Sequence, residues 1–439
     1  MELNNKGFAI SSILYMALIL FLVLIMALLS MMGGRKNILD KIRLEAYNVI
    51  NNIVDTSEKS SDLDIALPTL SENMIPIVYN PAGYAVKADV SLDSNGIPHN
   101  WYNYIQRKWA NAVVVKESGT NTRDYYKSAN AGTTINQEDI LGYFVWVPRY
   151  KYSVNSSNKN INVIFEEKGT TKSSGNAVDS RYLTHPAFTF NENELDGIWV
   201  SKFLSSVDTT EEPSVAMDSG DSNIKILPGK DSLLTLSAQE MFWITRKMEM
   251  SNNIYGFLQT STIFPTDNGV IESDSNTLDT HVLKNSEWGA ISILSLSQYG
   301  INGIIKNYDS NNTSYTGGGL NMNYLVNGSQ TTTGNIYGIY DMVSTTGELV
   351  MGYKSDDGLS YGTDTYVNDI FYDKYASDVT IGIKGDLTNN DLLTDAPVAN
   401  FPNVSEYFLR GQSSLLSYNS TAGSANSNIG FRISLVIWE

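Results

Sequence analysis

Residues 8–32, FAISSILYMALILFLVLIMALLSMM, form an unbroken apolar run in which 22 of 25 side chains are apolar and none is charged. As a helix rising about 1.5 Å per residue the run spans about 37 Å, more than a bilayer core of ~30 Å, and it predicts a membrane-crossing helix. The apolar region of a cleaved secretory signal is shorter, roughly 7–15 residues. After Gly33-Gly34, Ile38, Ile42, Ala46 and Ile50 recur every fourth residue, which predicts an amphipathic extension of that helix. The polar run TSEKSSDLD (56–64) then reads as a linker, closed by Pro68. Beyond it the pattern changes to short alternating runs. MIPIVYN and YAVKADVSL flank Asn80-Pro81-Ala82-Gly83, a hairpin signal, and YFVWVPRYKYSV (143–154) is strongly β-prone. The best helix candidate is 237–251, with Ser237 as N-cap and Glu240 completing a capping box. The expected class is α+β. The expected order is a membrane helix with its extension (1–55), a linker (56–67), a small β-rich aromatic module (68–142) and a loop-rich domain (143–439).

The aromatic run WYNYIQRKWANAVVV (101–115) suits either a buried core or an exposed sugar platform. A net charge of -17 leaves no excess positive charge for nucleic acid phosphate, so no nucleic acid partner is expected. With no cysteine the chain has no disulfide, thiolate nucleophile or Fe–S cluster, and three histidines (His99, His185, His281) are too dispersed for a His-rich metal centre. Lys6 precedes the apolar helix while Arg35, Lys36, Lys41 and Arg43 follow it, which alone favours a cytoplasmic C-terminal part. The length and acidity of the remainder favour the opposite orientation.

Lys6-Gly7-Phe8 at the head of the apolar run resembles the processing site of type IV prepilins. That resemblance implies cleavage after Gly7, Phe8 as the first mature residue, an external C-terminal part and a pilus-like assembly. Ser12 stands where that family carries Glu. Further along, GNIYGIYDMVSTTGELVMG (334–352), FLRGQSS (408–414) and IGFRISL (429–435) follow one another as in the sulfatase-modifying-factor family, which includes the formylglycine-generating enzymes. Gly338, Tyr340, Asp341, Met342, Glu348, Arg410, Gly411, Ser413, Gly430, Phe431 and Arg432 carry the likeness. It covers roughly residues 143–439 and implies a variant of the C-type lectin fold. The family's oxygenase chemistry uses paired cysteines, absent here; Gly347 and Leu349 replace aromatic residues beside Glu348, and Gln412 replaces a Gly. The resemblance therefore predicts a scaffold without the chemistry, hence no enzyme and no catalytic residue. No Gly-x-Ser-x-Gly elbow points to a hydrolase instead.

Arg410 and Arg432 read as buried charges paired with acids such as Asp341 or Glu348. Between them lies QSSLLSYNSTAGSANSN (412–428), rich in Ser and Asn with one Tyr. Such residues make adaptable hydrogen-bonding surfaces, and the segment is similar in place and composition to the variable face of retroelement-diversified lectin-fold proteins. Ser413, Ser414, Ser417, Tyr418, Asn419, Asn426 and Asn428 are its ligand-binding candidates; a solvated loop is the plain alternative. Asp356, Asp357, Asp364, Asp369 and Asp373 offer oxygen ligands for a structural calcium, or simply an acidic surface, and no other cofactor or metal is expected. The expected function is a single-pass membrane protein, in contact with lipid through 8–32, whose external lectin-like domain binds a protein or glycan. The alternative is a minor-pilin-like surface component without a ligand.

Overall fold

Ile140–Pro148, ILGYFVWVP, is buried at every position, as a strand covered on both faces must be. It lies near the middle of the largest sheet in the computed structural model, which describes residues 65–117, 121–207, 223–257, 268–270, 277–306, 315–318, 323–361, 365–379, 382–387, 392–393 and 401–438. The anticipated membrane helix 8–32, its extension, the Gly7-Phe8 site and the linker as far as 64 lie outside the described residues. Among the described residues no helix is long and apolar enough to cross a membrane. The chain divides into two compact units, Met1–Lys59 with Tyr79–Tyr84, and Ser60–Val78 with Ala85–Glu439. In the described part of the first, Asn80 Oδ1 accepts from the backbone N–H groups of Ala82 and Tyr84, closing a tight turn.

Along the chain run strands β1 (Met74–Tyr79), β2 (Ala85–Lys87), β3 (Asn111–Val115), β4 (Ile140–Pro148) and β5 (Gly197–Ser201). Helix α1 (Ala238–Arg246), strand β6 (Leu278–Val282) and helix α2 (Asn285–Leu296) follow. Strands β7 (Gly347–Lys354), β8 (Asp373–Tyr375), β9 (Tyr407–Arg410), β10 (Tyr418–Thr421), β11 (Ile429–Phe431) and β12 (Ile433–Ile437) come next, and further short strands and helical turns lie between these elements. This is a mixed α+β fold, rich in sheet and sparing in helix.

One seven-stranded sheet has the order β6-β12-β5-β4-β3-β1-β2. The expected division at 142/143 falls inside β4. Val113 and Val114 of β3 pair with Tyr143 and Gly142 on its two sides, so segments anticipated as separate modules share one hydrogen-bonded sheet. The aromatic run supplies core. Trp101, Tyr104 and Trp109 are buried, with Trp101 Nε1 donating to Asn111 O and Tyr104 Oη to Trp146 O. Trp199 of β5 sits opposite Trp146 of β4, ring centroids 5.1 Å apart, a cross-strand aromatic pair of the kind that adds to sheet stability.

A smaller sheet, in the order β8-β7-β9-β10 with β11 also paired to β7, carries the C-terminal candidates. Two helices brace the sheets. Ser237 Oγ accepts from Glu240 N and Glu240 Oε2 accepts from Ser237 N, so the capping box starts α1 where the sequence places it. Helix α2 is buried around almost its whole circumference.

At Gly197 the large sheet leaves no space for a side chain. A Cβ there would lie 2.5 Å from Trp146 Cζ2 and 2.5 Å from Val147 O, and neither the indole nor the backbone can move aside. Gly197→Ala is expected to lose about 1–3 kcal/mol of stability, the usual cost of overpacking, read as a lowered urea midpoint at unchanged slope.

Candidate functional site

Two fully buried arginines bracket the polar C-terminal segment. Arg432 joins β11 to β12. Its Nε donates to Glu348 Oε1 at 3.1 Å, Nη1 to Ser201 O at 2.7 Å and Nη2 to Tyr340 O at 2.8 Å. One charge thereby ties together the last strand, β7, the end of β5 and the 340 turn. Arg410, on β9, donates through Nε to Asn285 Oδ1 at 2.8 Å, through Nη1 to Leu387 O at 2.9 Å and through Nη2 to Asp386 O at 2.5 Å. Carbonyl oxygens and an amide thus receive the Arg410 guanidinium, whereas Glu348 meets Arg432. Asp341 adopts a left-handed φ of 64° and accepts from Gly317 N at 2.9 Å and Leu204 N at 3.3 Å. Burial pushes the carboxyls of Asp341 and Glu348 up, while the Arg432 charge pulls both down and backbone donors also hold Asp341.

The matched glycine-containing elements pack closely around this frame. Lys202 Nζ, fully buried, donates to Asn111 Oδ1 at 2.8 Å, Ile336 O at 2.6 Å and Gly338 O at 2.9 Å. Gly411 has φ 78°, and a Cβ there would come 2.6 Å from Met342 O. The chain can therefore turn against the 342 segment immediately after Arg410 only without a side chain.

From that turn the polar segment runs over the surface. Ser413, Ser414, Asn419, Asn426 and Asn428 are exposed, and Ser417 and Tyr418 are half-buried. Ser417 Oγ accepts from Ser413 N and Ser414 N and donates to Ser414 O, so its hydroxyl builds the turn. Tyr418 and Asn419 lie on β10, the edge strand of the smaller sheet. Arg410 Cζ sits 5.5 Å from the centre of the Tyr418 ring, a cation–π contact beneath the edge. Beyond β10, Gly423 O accepts from Ala238 N, Asn426 O from Thr235 N and Asn428 O from Gly347 N. Backbone bonds pin the segment at these points while the side chains of Asn426 and Asn428 face solvent.

The candidate calcium acids are engaged separately. Asp356 accepts from Ser377 N, Asp369 from Tyr372 Oη and Asp373 from Ser286 N; Asp357 is exposed, and Asp364 lies outside the described residues. Among the described residues no group of three or more His, Asp or Glu side chains is arranged to hold a metal ion.

A second buried network escapes the sequence motifs. His281 Nδ1 lies 2.7 Å from Asp279 Oδ1, and its Nε2 lies 3.0 Å from Glu287 Oε1. Arg246 Nη1 reaches Asp279 Oδ2 at 2.6 Å and also Glu249, and Ser434 Oγ donates to Glu287. Burial alone would push the His281 imidazole down, but the two carboxylates outweigh it and hold it above its usual range. Burial would raise Glu287 as well, yet His281 and Lys284 draw it down to about 2. Glu249 goes the other way, pushed up to about 8 by burial, with Asp279 sharing the same guanidinium. The cluster clamps α1, β6, α2 and β12 together, and His281 is 0% exposed, which closes it to any substrate. The signal that could have revealed it is the alternation of Asp279 and His281 on one face of β6, with Glu287 in the first turn of α2.

The sequence matches no protein-family model and no curated protein.

Glu348→Ala would leave the Arg432 guanidinium buried without its carboxylate and is expected to cost about 3–5 kcal/mol, measured by chemical denaturation. The histidine network sets a pH dependence. A histidine held above its unfolded value keeps a proton that the unfolded chain has released. Its contribution is full below 6.5 and disappears as pH rises through the folded value. Glu287 contributes fully above 4.5 and loses that contribution as pH falls towards about 2. Glu249 reinforces the alkaline loss, because its folded form holds a proton up to about 8. The Tm is expected to fall as pH rises from about 6.5, where the histidine contribution begins to be lost, to about 8, where that of Glu249 is spent. His281→Gln should lower Tm near pH 6 and flatten that slope, read by calorimetry across the range.

Proposed function

We propose that this chain is a membrane-anchored surface protein whose C-terminal part, residues 143–439, is a lectin-like binding domain without catalytic chemistry. Its pilin-like apolar N-terminus is the anchor, the C-terminal part lies outside the cell, and the ligand is an external protein or glycan. One observation carries the reading: a segment of exposed Ser and Asn with a half-buried Tyr is stretched between two fully buried arginines and fixed by backbone bonds. Recognition favours that arrangement, since side chains held on a rigid frame lose little further freedom when a ligand binds. The buried polar groups described above serve structural bonds. Arg410, Arg432, Glu348 and the His281 network all hold elements together, and none presents a reactive atom at the surface.

The decisive variant combines Ser414→Ala, Asn419→Ala and Asn428→Ala. Ser414 and Asn428 form turn bonds through backbone atoms that Ala retains. Ligand capture by the triple variant on glycan and host-protein arrays should fall at least tenfold, with Tm within about 2 °C of the parent, as surface substitutions usually allow. Undiminished capture would refute the site. Capture absent even in the parent, together with recovery from sheared filaments, would favour a structural surface component instead.

A further inference from the structure

The segment between Arg410 and Arg432 is polar in an unusual way: residues 411–431 include no Asp, Glu, Lys or Arg. The chain as a whole is 18% charged, and a stretch of that length on a solvated surface would ordinarily carry about four or more charges. A face kept only for solubility has no reason to avoid them. Glu406, at the rim, is already engaged by the backbone and side-chain nitrogens of Asn403. A charged ligand docked here would surrender its hydration and find no opposite charge in the segment, a net cost.

The side-chain inventory narrows the partner further. Protein interfaces concentrate their energy in several buried aromatic and arginine anchors. In this segment Phe431 is buried in the core, and the one ring that reaches the surface is Tyr418, with Leu415 buried and Leu416 half-buried. What surrounds that ring in sequence is a series of hydroxyls and amides: Ser413, Ser414, Asn419, Ser424, Asn426, Ser427 and Asn428, all exposed. Each hydroxyl or amide can both donate and accept. A sugar is the complementary object, with hydroxyls that donate and accept around its rim and an apolar C–H face that rests on an aromatic ring.

We infer that the ligand of this segment is an uncharged glycan, with Tyr418 as the ring on which one sugar unit rests. The inference depends on the proposal that the domain is a binding module. The Arg410 guanidinium packs against the Tyr418 ring, and β10, which carries that ring, is the edge strand of its sheet.

The test applies the purified full chain to arrays of uncharged hexose and N-acetylhexosamine oligosaccharides, sialylated and sulfated glycans, and host proteins, at low and high NaCl. The expected result is retention on uncharged glycans, with Kd changing less than twofold between the two salt concentrations. Tyr418→Phe should bind as the parent does. Tyr418→Leu, which keeps apolar bulk over Arg410, and Tyr418→Ala should each lose at least tenfold, with Tm recorded for all three. Retention on anionic glycans with strong salt dependence overturns the inference, and so does full binding by the folded Leu variant. A defined protein ligand with no glycan bound overturns it while leaving the binding-module reading intact. Silence on every array overturns both.

Discussion

A guanidinium buried without water has to find an acceptor for each of its donors, and Arg432 finds them in three different parts of the chain. Glu348 supplies the counter-charge, and the carbonyls of Ser201 and Tyr340 take the remaining face. Removing any one of these leaves a desolvated donor, so the positions of β5, β7 and the 340 turn are mutually enforced. The fold has much loop and short strand, elements that carry little cooperativity of their own. Charged hubs of this kind, with Arg410 and the Arg246–His281 cluster, supply the specificity that longer elements would otherwise provide.

How far this was legible in the sequence depended on whether the signal was local. The capping box of α1 and the unbroken apolar run of β4 could be read because each declares itself within a few residues. Helix α2 could not. Its sequence, NSEWGAISILSL, has no polar face because it is buried almost all round, and amphipathic periodicity is the signature only of a half-buried helix. The strand LDTHV was equally opaque, since its acid and histidine are buried through partners 33 and 6 residues away. The anticipated break at 142/143 shows the same limit: strand patterns announce themselves but do not name their neighbours.

The candidate surface divides in the same way. Its composition and its flanking arginines stood out in the sequence. The distribution of roles within it did not. Ser417, which looks like its neighbours on paper, has its hydroxyl committed to the turn at 414–417, whereas Asn419 two residues on is exposed, with its Oδ1 accepting from the adjoining Ser420 N. Arg410 was expected to pair with an acid side chain; it donates to the main-chain oxygens of residues 386 and 387, which no residue code reveals.

Strand β12, the end of the described chain, lies between β6 and β5 rather than at the border of its sheet. While the polypeptide is still being synthesised, the large sheet is therefore missing an inner member, and β6, whose sheet partner is β12, has nothing to pair with. Closure must wait until β12 has been made, and it joins segments more than two hundred positions apart (Trp199 with Leu435). Such distant pairing is slow to nucleate, so the large sheet closes late, and the strands made before β12 wait for a partner that comes long after them.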